Sequence, residues 1–315
     1  MALIDGARTA VLTCMGVKRG EVVLILTDTE KEAIGEVLFE VAKEAKAEVI
    51  IVKMLPRRRH GEEPPKTIAE MMRHADVIIA PTQYSVTHTQ ARKRANRAGA
   101  RIATMPGIIT KMMSAGGMTA DFKEVEKGVK RLAKILEDTK TIRIITEIGT
   151  DLEVSVEGRR WYKDTGICHK KGEFMNLPAG EVFIAPREGT ADGKLVIDGA
   201  FWEKLDEPVC IDIKKGYAKR ITGTKEMAKQ ISRRGREGRN IAEVGIGMNP
   251  KAKIIGNVLE DEKVMGTVHV ALGDNSTFGG KCRAGIHIDG IIKNPTLLAD
   301  DLPIMEDGKL KVRAF

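Results

Sequence analysis

Glu21-Val22-Val23-Leu24-Ile25-Leu26-Thr27 is a short, nearly continuous apolar run rich in β-branched residues, and the acidic Asp28 and Glu30 follow it. A run of this length is strand-sized, and unbroken hydrophobicity means both faces are covered, as in a parallel sheet. Working outward, Ile4 to Met15 reads as an amphipathic helix ended by Gly16, and a helix opens at Asp28 and Glu30 and runs through Lys46. Glu48 to Met54 repeats the buried-strand pattern, Lys66 to His74 is helical after Pro64-Pro65, and Ala75 to Pro81, Thr87 to Ala98, Arg101 to Thr104 and Asp121 to Glu137 continue as strand, helix, strand and helix. Strands spaced by helices predict βαβ units and a doubly wound parallel sheet.

After about Thr141 the texture changes. Thr141 to Glu147, Asp151 to Val156, Gly180 to Ala185, Gly193 to Asp198, Val209 to Lys214, Tyr217 to Gly223 and Gly266 to Leu272 read as strands joined by Gly- and Asp-containing turns, with one strong helix at Lys225 to Arg236. The expected fold class is therefore α/β: a doubly wound domain over residues 1–140 and a mixed α+β domain over 141–315.

Composition narrows the function. The 315 residues carry a net charge of +8, but the 30% charged residues are of both signs and interspersed. The basic runs Arg57-Arg58-Arg59-His60 and Arg233-Arg234-Gly235-Arg236 are not interleaved with aromatic residues, which make up only 4% of the chain, so a nucleic-acid partner is not expected. No apolar stretch approaches membrane-spanning length and no basic segment precedes an apolar block at the N-terminus, so the expectation is a cytoplasmic protein with no membrane partner. Cys14, Cys168, Cys210 and Cys282 form no CxxC pair, which removes zinc knuckles and thioredoxin chemistry. Seven Asn and three Gln against abundant Lys, Glu, Ile and Val are a heat-adapted pattern. There is no GxGxxG after the first strand, no GxxxxGK[ST], no HExxH and no GxSxG.

Chemistry concentrates in the second half. In Gly285-Ile286-His287-Ile288-Asp289-Gly290 a strand period of two puts His287 and Asp289 on one face. An isolated HxD is more simply a satisfied polar pair in a sheet, but His269 interrupts the apolar Gly266-Thr267-Val268-His269-Val270-Ala271-Leu272 nearby. Glu181 heads the apolar EVFIAP segment and Glu243 lies inside IAEVGIG. Together Glu181, Glu243, His269, His287 and Asp289 supply three carboxylates and two imidazoles, donors that suit Zn, Mn, Co or Fe(II). Five ligands exceed what one catalytic ion with an open position takes, so two metals are expected, and residues 141–315 become the metal-binding catalytic domain.

Five blocks in order, Asn176 to Pro186, Glu243 to Pro250, Gly256 to Lys263, Gly266-Thr267-Val268-His269 and Ile286 to Asp289, resemble the thermophilic metallo-aminopeptidases of the aminopeptidase T and aminopeptidase S type. The resemblance implies the same five ligands, a two-metal hydrolase acting on small peptides, Glu243 as ligand or base for the attacking water, Zn, Co or Mn as cofactor, and a homodimer. Where that family has a catalytic tyrosine, the aligned residue is Ser276, and the chain is shorter between His269 and His287. The related hydroxypyridine ring-cleaving dioxygenases look similar, and by that alternative His269, His287 and Asp289 hold a single Fe(II) and the substrate is a small hydroxylated ring.

One constellation lies in the first half. Ser85-Val86-Thr87-His88-Thr89-Gln90-Ala91-Arg92 follows the strand ADVIIAPT, at the strand end and helix start where open α/β sheets place ligands. Thr87 or Ser85 reads as an N-cap and His88 as a surface histidine in the plainer view. In the functional view His88 moves a proton and Arg92 holds a substrate carboxylate. His169, among polar neighbours, reads as a loop residue.

Overall fold

A computed structural model describes residues 2–312. The chain forms two compact units: the first runs to Glu126 and includes Asp164–Ala179, and the second comprises Lys127–Lys163 and the chain from Gly180 on. Residue 140, the boundary expected from sequence, falls within the 127–163 segment of the second unit.

The first unit is the α/β half. Strands β1 (Val22–Asp28), β2 (Glu48–Met54), β3 (Val77–Thr82), β4 (Arg101–Pro106) and β5 (Phe174–Asn176) form a wholly parallel sheet in the order β2-β1-β3-β4-β5. Leu24, Leu26, Ile78, Ala80 and Ile102 of the sheet share a buried cluster with Ala91 and Ala95 of helix Gln90–Ala98. Thr89 caps that helix through its Oγ1, which accepts from Arg92 N at 3.2 Å, and Gly99 at φ +110° ends it. The expected alternation of strand and helix is present. The strand β2, expected to be buried, is instead the sheet edge, where Ile50 is 43% exposed; a hydrophobic run looks the same whether one or two neighbours flank it. The expected first helix divides into an α-helix, Leu3–Arg8, and a π-helical stretch, Thr9–Cys14. Buried Arg101 ties the start of β4 to the chain before β1, donating from Nε to the Met15 carbonyl at 2.8 Å and pairing with Glu21 at 2.9 and 2.6 Å.

The second unit is built from two antiparallel sheets. In one, eight strands run in the order Tyr217–Thr222, Val209–Lys214, Asp192–Ile197, Asp151–Ser155, Thr141–Ile145, Thr296–Ala299, Leu302–Glu306 and Lys309–Leu310. In the other, Glu203–Lys204 and Ala200–Phe201 lead to β9 (His287–Lys293), β8 (Thr267–Gly273), β7 (Ile241–Gly247) and β6 (Glu181–Ile184), ending at Tyr162–Asp164. Val182, Ile184, Val244, Ile246, Val268, Val270, Leu272, Ile288 and Ile292 alternate onto one face of these four strands and are all buried. Ile197 of the eight-stranded sheet reaches this face at Gly290, where a Cβ would stand 2.3 Å from Ile197 Cδ1. Each such buried aliphatic side chain contributes on the order of 1.5–3 kcal/mol. The helix expected through Arg236 stops at Ser232 and resumes as a short turn, Gly235–Gly238, after Gly235 takes φ +66°. Among the described residues no helix is long and apolar enough to cross a membrane.

Candidate metal centre

The opposite face of strands β6 to β9 carries the polar residues. Register sets Glu181 opposite Gly247, Phe183 opposite Gly245, Gly245 opposite His269, Glu243 opposite Ala271, Ala271 opposite Asp289 and Gly273 opposite His287. Directly paired residues, and those two apart, share a face. Glu181, Glu243, His269, His287 and Asp289 therefore converge. The glycine partner is a requirement for His269: a Cβ on Gly245 would lie 2.0 Å from His269 Nε2.

His269 Nε2 stands 3.4 Å from both Glu181 Oε2 and Glu243 Oε1, and His287 Nε2 stands 3.4 Å from both Glu243 Oε2 and Asp289 Oδ1. Glu243 thus faces one imidazole with each oxygen. Two ligands about 2.1 Å from one ion at a tetrahedral angle are themselves about 3.4 Å apart, so this spacing is what a coordinated cation requires. Candidate ligand atoms of Glu243, His287 and Asp289 lie within 4.8 Å of one another, and those of Glu181, Glu262 and His269 form a second such group. The two histidines of the expected facial triad fall in different groups.

His287 Nδ1 donates to the Asp274 carbonyl at 2.7 Å, which turns the Nε2 of a neutral ring toward the carboxylates as a lone pair. Asp289 Oδ1, Glu181 Oε2 and His269 Nδ1 are buried without a hydrogen-bond partner. Buried acceptors of this kind are stabilised by a positive charge close by. The donor set therefore fits a divalent ion.

Two residues of the centre were missed from sequence. Glu262 and Lys263 follow the short helix Val258–Asp261, and the Lys263 ammonium, fully buried, lies 2.6 Å from Glu181 Oε1 and 2.5 Å from Glu262 Oε1. Glu260-Asp261-Glu262-Lys263 is a run of four charged residues, which by itself carries no mark of burial. The signal available was the ordered block itself, which ends at Lys263.

The electrostatics agree with a site that calls for cations. Burial opposes the charge of His269, yet the hydrogen bond to Glu243 and the carboxylates of Glu181, Glu243 and Asp289 raise it to about 9. Burial likewise opposes a charged His287, and Asp289 and Glu243 still hold it well above the usual histidine value. Asp289, despite burial, is lowered to about 2 by His287. Glu243 is lowered, against burial, by the hydrogen bonds of both histidines. Burial pushes Glu262 up to about 8 even beside Lys263, and it raises Glu181 too.

Aromatic rings border the polar face. Tyr162 stacks on Phe183 at 5.4 Å between centroids, and Phe278 meets the edges of Phe183 and His287, each at 5.7 Å. All three rings are half-buried. Phe278 rides on the loop between β8 and β9, whose ends Asp274 ties together: Oδ2 accepts from Ala284 N at 3.1 Å, and Oδ1 accepts from Ser276 N and Oγ at 2.9 and 2.7 Å. The Ser276 hydroxyl is thus engaged in shaping the loop.

His88 and Arg92 belong to the first unit. His88 is exposed, and half-buried Arg92 donates from Nε to the Thr87 carbonyl at 2.6 Å and from Nη1 to Asn96 Oδ1 at 3.0 Å, with its guanidinium 4.2 Å from the Phe174 ring centre. Thr87 Oγ1, Thr104 Oγ1 and Asn176 Oδ1 complete the cluster at 2.7–3.4 Å. His169 lies in a loop, as read, with Nε2 2.9 Å from the Thr13 carbonyl.

Residues 4–312 match the family described as NicX, 2,5-dihydroxypyridine 5,6-dioxygenase. A curated 2,5-dihydroxypyridine 5,6-dioxygenase of Pseudomonas putida is 22% identical over 257 residues, covering 74% of this chain and 70% of that protein. The solved structure of the 2,5-dihydroxypyridine dioxygenase from Pseudomonas putida KT2440 superposes with a TM-score of 0.84 at 17% identity, over 99% of this chain and 98% of the other. AmpT from Thermus thermophilus superposes with a TM-score of 0.73 at 17% identity, over 98% and 99%, which is a likeness of fold. The expected aminopeptidase, and with it the hydrolase and metalloprotease reading, is overturned by the first of these matches. Its physical counterpart is Ser276, a short hydroxyl already bonded to Asp274 at the place of the peptidase tyrosine.

Proposed function

The chain belongs to the 2,5-dihydroxypyridine 5,6-dioxygenase family, and from that premise we propose that it is a ring-cleaving dioxygenase acting on a small hydroxylated nitrogen ring of the 2,5-dihydroxypyridine type. The observation that carries this reading is the aromatic border of Tyr162, Phe183 and Phe278 beside a buried carboxylate and imidazole centre. Flat rings at the edge of a polar pocket suit a flat substrate.

Glu243, His287 and Asp289, with His269 facing the other oxygen of Glu243, would hold a divalent ion. Fe(II) bound there would supply the redox chemistry needed for dioxygen to react with an electron-rich ring. Asp274 fixes the His287 tautomer through its carbonyl, and Lys263 offsets part of the carboxylate charge. Glu243, kept ionised by two imidazoles, would serve as a ligand of the ion rather than as a base. Phe278 and Phe183 stack or edge the ring and exclude water from it. Both atoms of one O2 enter the product as the ring opens, so no external reductant is needed.

The test is oxygen uptake by Fe(II)-loaded protein with 2,5-dihydroxypyridine. One O2 consumed for each ring opened is expected. No uptake with any dihydroxypyridine or catechol, or turnover that persists without oxygen, overturns the reading.

A further inference from the structure

The loop between β8 and β9, residues 274–286, contains no helix or strand, yet it carries the ring that meets His287. Asp274 gathers the ends of this loop, while its middle is held from outside by an ion pair. Arg159 Nη2 lies 2.5 Å from Glu188 Oε2, with the two side chains only 15% and 22% exposed. Glu188 Oε1 accepts from Asn275 Nδ2 at 3.1 Å and from Lys281 N at 2.7 Å, and Arg159 Nη1 donates to the Gly279 carbonyl. One ion pair thus grips the loop at three places, before, beside and after Phe278. Buried Asn275 spreads the grip: its Oδ1 accepts from Cys282 N at 2.9 Å, and its carbonyl accepts from Phe278 N and Gly280 N at 3.3 and 3.0 Å. The same two chain segments bring the rings that Phe278 meets, since Arg159 lies just before Tyr162 and Glu188 shortly after Phe183.

We propose that Glu188 and Arg159 are positioning residues: their ion pair clasps the loop so that Phe278 is held against His287, and it thereby sets the affinity for a flat ring while leaving the chemical step to other groups. A segment without ladder hydrogen bonds of its own belongs to the least stable part of a fold unless side chains tie it down. Bonds to an ionised carboxylate are the stronger kind of tie. Glu188 is kept ionised for them: burial opposes its charge, and the Lys281 N–H, the Arg159 guanidinium and the Asn275 amide overcome this. Neither clasp residue is among the candidate metal ligands. Loosening the clasp therefore lets Phe278 drift from the edge of the polar face and wets the surface on which a ring would lie. The substrate class in this inference rests on the ring-opening reading; the clasp itself does not.

The experiment compares Glu188→Ala with wild type, both as full chains loaded with Fe(II). Without oxygen, hydrogen–deuterium exchange is followed across residues 274–286 and the affinity for 2,5-dihydroxypyridine is measured by calorimetry; oxygen uptake then gives KM and kcat. Exchange in the loop should quicken about tenfold or more while β8 and β9 exchange as in wild type. Ring affinity should fall about tenfold and KM rise to match, with kcat within about threefold. Unchanged loop exchange, unchanged affinity, or a fall in kcat at constant KM overturns the proposal. Arg159→Ala keeps it testable if Glu188→Ala does not fold: it releases the Gly279 carbonyl while Glu188 still holds Asn275 and Lys281, so a smaller change of the same kind is expected, and no change overturns it. Affinity that follows the loop without any oxygen uptake would sink only the ring-opening reading, whereas a loosened loop with wild-type affinity would sink this inference alone.

Discussion

Two polar clusters were expected to carry chemistry, and they are built on opposite principles. In the first unit, Arg92, Thr87, Asn96, Thr104 and Asn176 satisfy one another: the guanidinium is divided between a carbonyl, an amide oxygen and an aromatic face, and the hydroxyls close on Asn176. In the second unit, Glu181 Oε2, His269 Nδ1 and Asp289 Oδ1 are left without a hydrogen-bond partner in a more deeply buried setting. A closed network stabilises the fold, while an open one calls for something that is not protein. Residue type did not separate the two cases, since both contain a basic group and hydrogen-bonding oxygens. What separates them is whether the donors and acceptors balance.

The contrast is most exposed at His287. Replacement by Ala should abolish metal retention and reduce oxygen uptake by about a thousandfold or more, the order of effect seen when a catalytic constellation loses a member. A His287→Ala protein that keeps a tenth of wild-type turnover would place the chemistry elsewhere. Next comes Gly245→Ala. Its new Cβ, 2.0 Å from His269 Nε2, must displace that ring, and a loss of about 10- to 100-fold in metal affinity is expected, read by competition with a chelator. Unchanged affinity would mean that His269 stands apart from the ion.

In the first unit the expected effects are on stability. Glu21 is held below the ordinary glutamate value: burial opposes its charge, and the Arg101 hydrogen bond overcomes this. The stability this pair provides is therefore present in full above about pH 4.5 and lost as acidification passes through the lowered value. Glu21→Gln should cost about 2 kcal/mol at neutral pH, less than for a fully buried pair because Glu21 is 22% exposed, and the difference from wild type should vanish in acid. Denaturant unfolding at two pH values reads this, and a pH-independent difference would break the account. The smallest effect is expected for Arg92→Gln: about 1 kcal/mol of stability, with turnover within twofold. A large fall in turnover with stability intact would show that the first cluster is not closed after all.

Much of this was legible in the sequence. The polar face of β7 to β9 could be read because a period of two is strict, and each polar residue in an apolar strand announces its neighbours two positions away. Lys263 was not legible, because a lysine in an acidic turn normally keeps its charge in water and only the tertiary structure encloses it. Phe278 sits in a loop without periodicity, so its meeting with Phe183 and His287 comes from the hydrogen bonds that fold the loop around Asp274. The exposure of β2 was hidden for a related reason: composition records how apolar a strand is, not how many neighbours it has. β5 is three residues long and joins the sheet from a distant part of the chain.

That last strand bears on biosynthesis. The parallel sheet lacks its fifth member until residues 174–176 have left the ribosome, well after the chain has begun the second unit at Lys127. During that interval β4 presents an unpaired edge, the kind of surface through which nascent chains associate with one another. A fragment cut at the apparent boundary near residue 140 would carry that open edge permanently. Expression of the first unit in isolation should therefore require a redesigned chain in which Asp164–Ala179 is joined on directly.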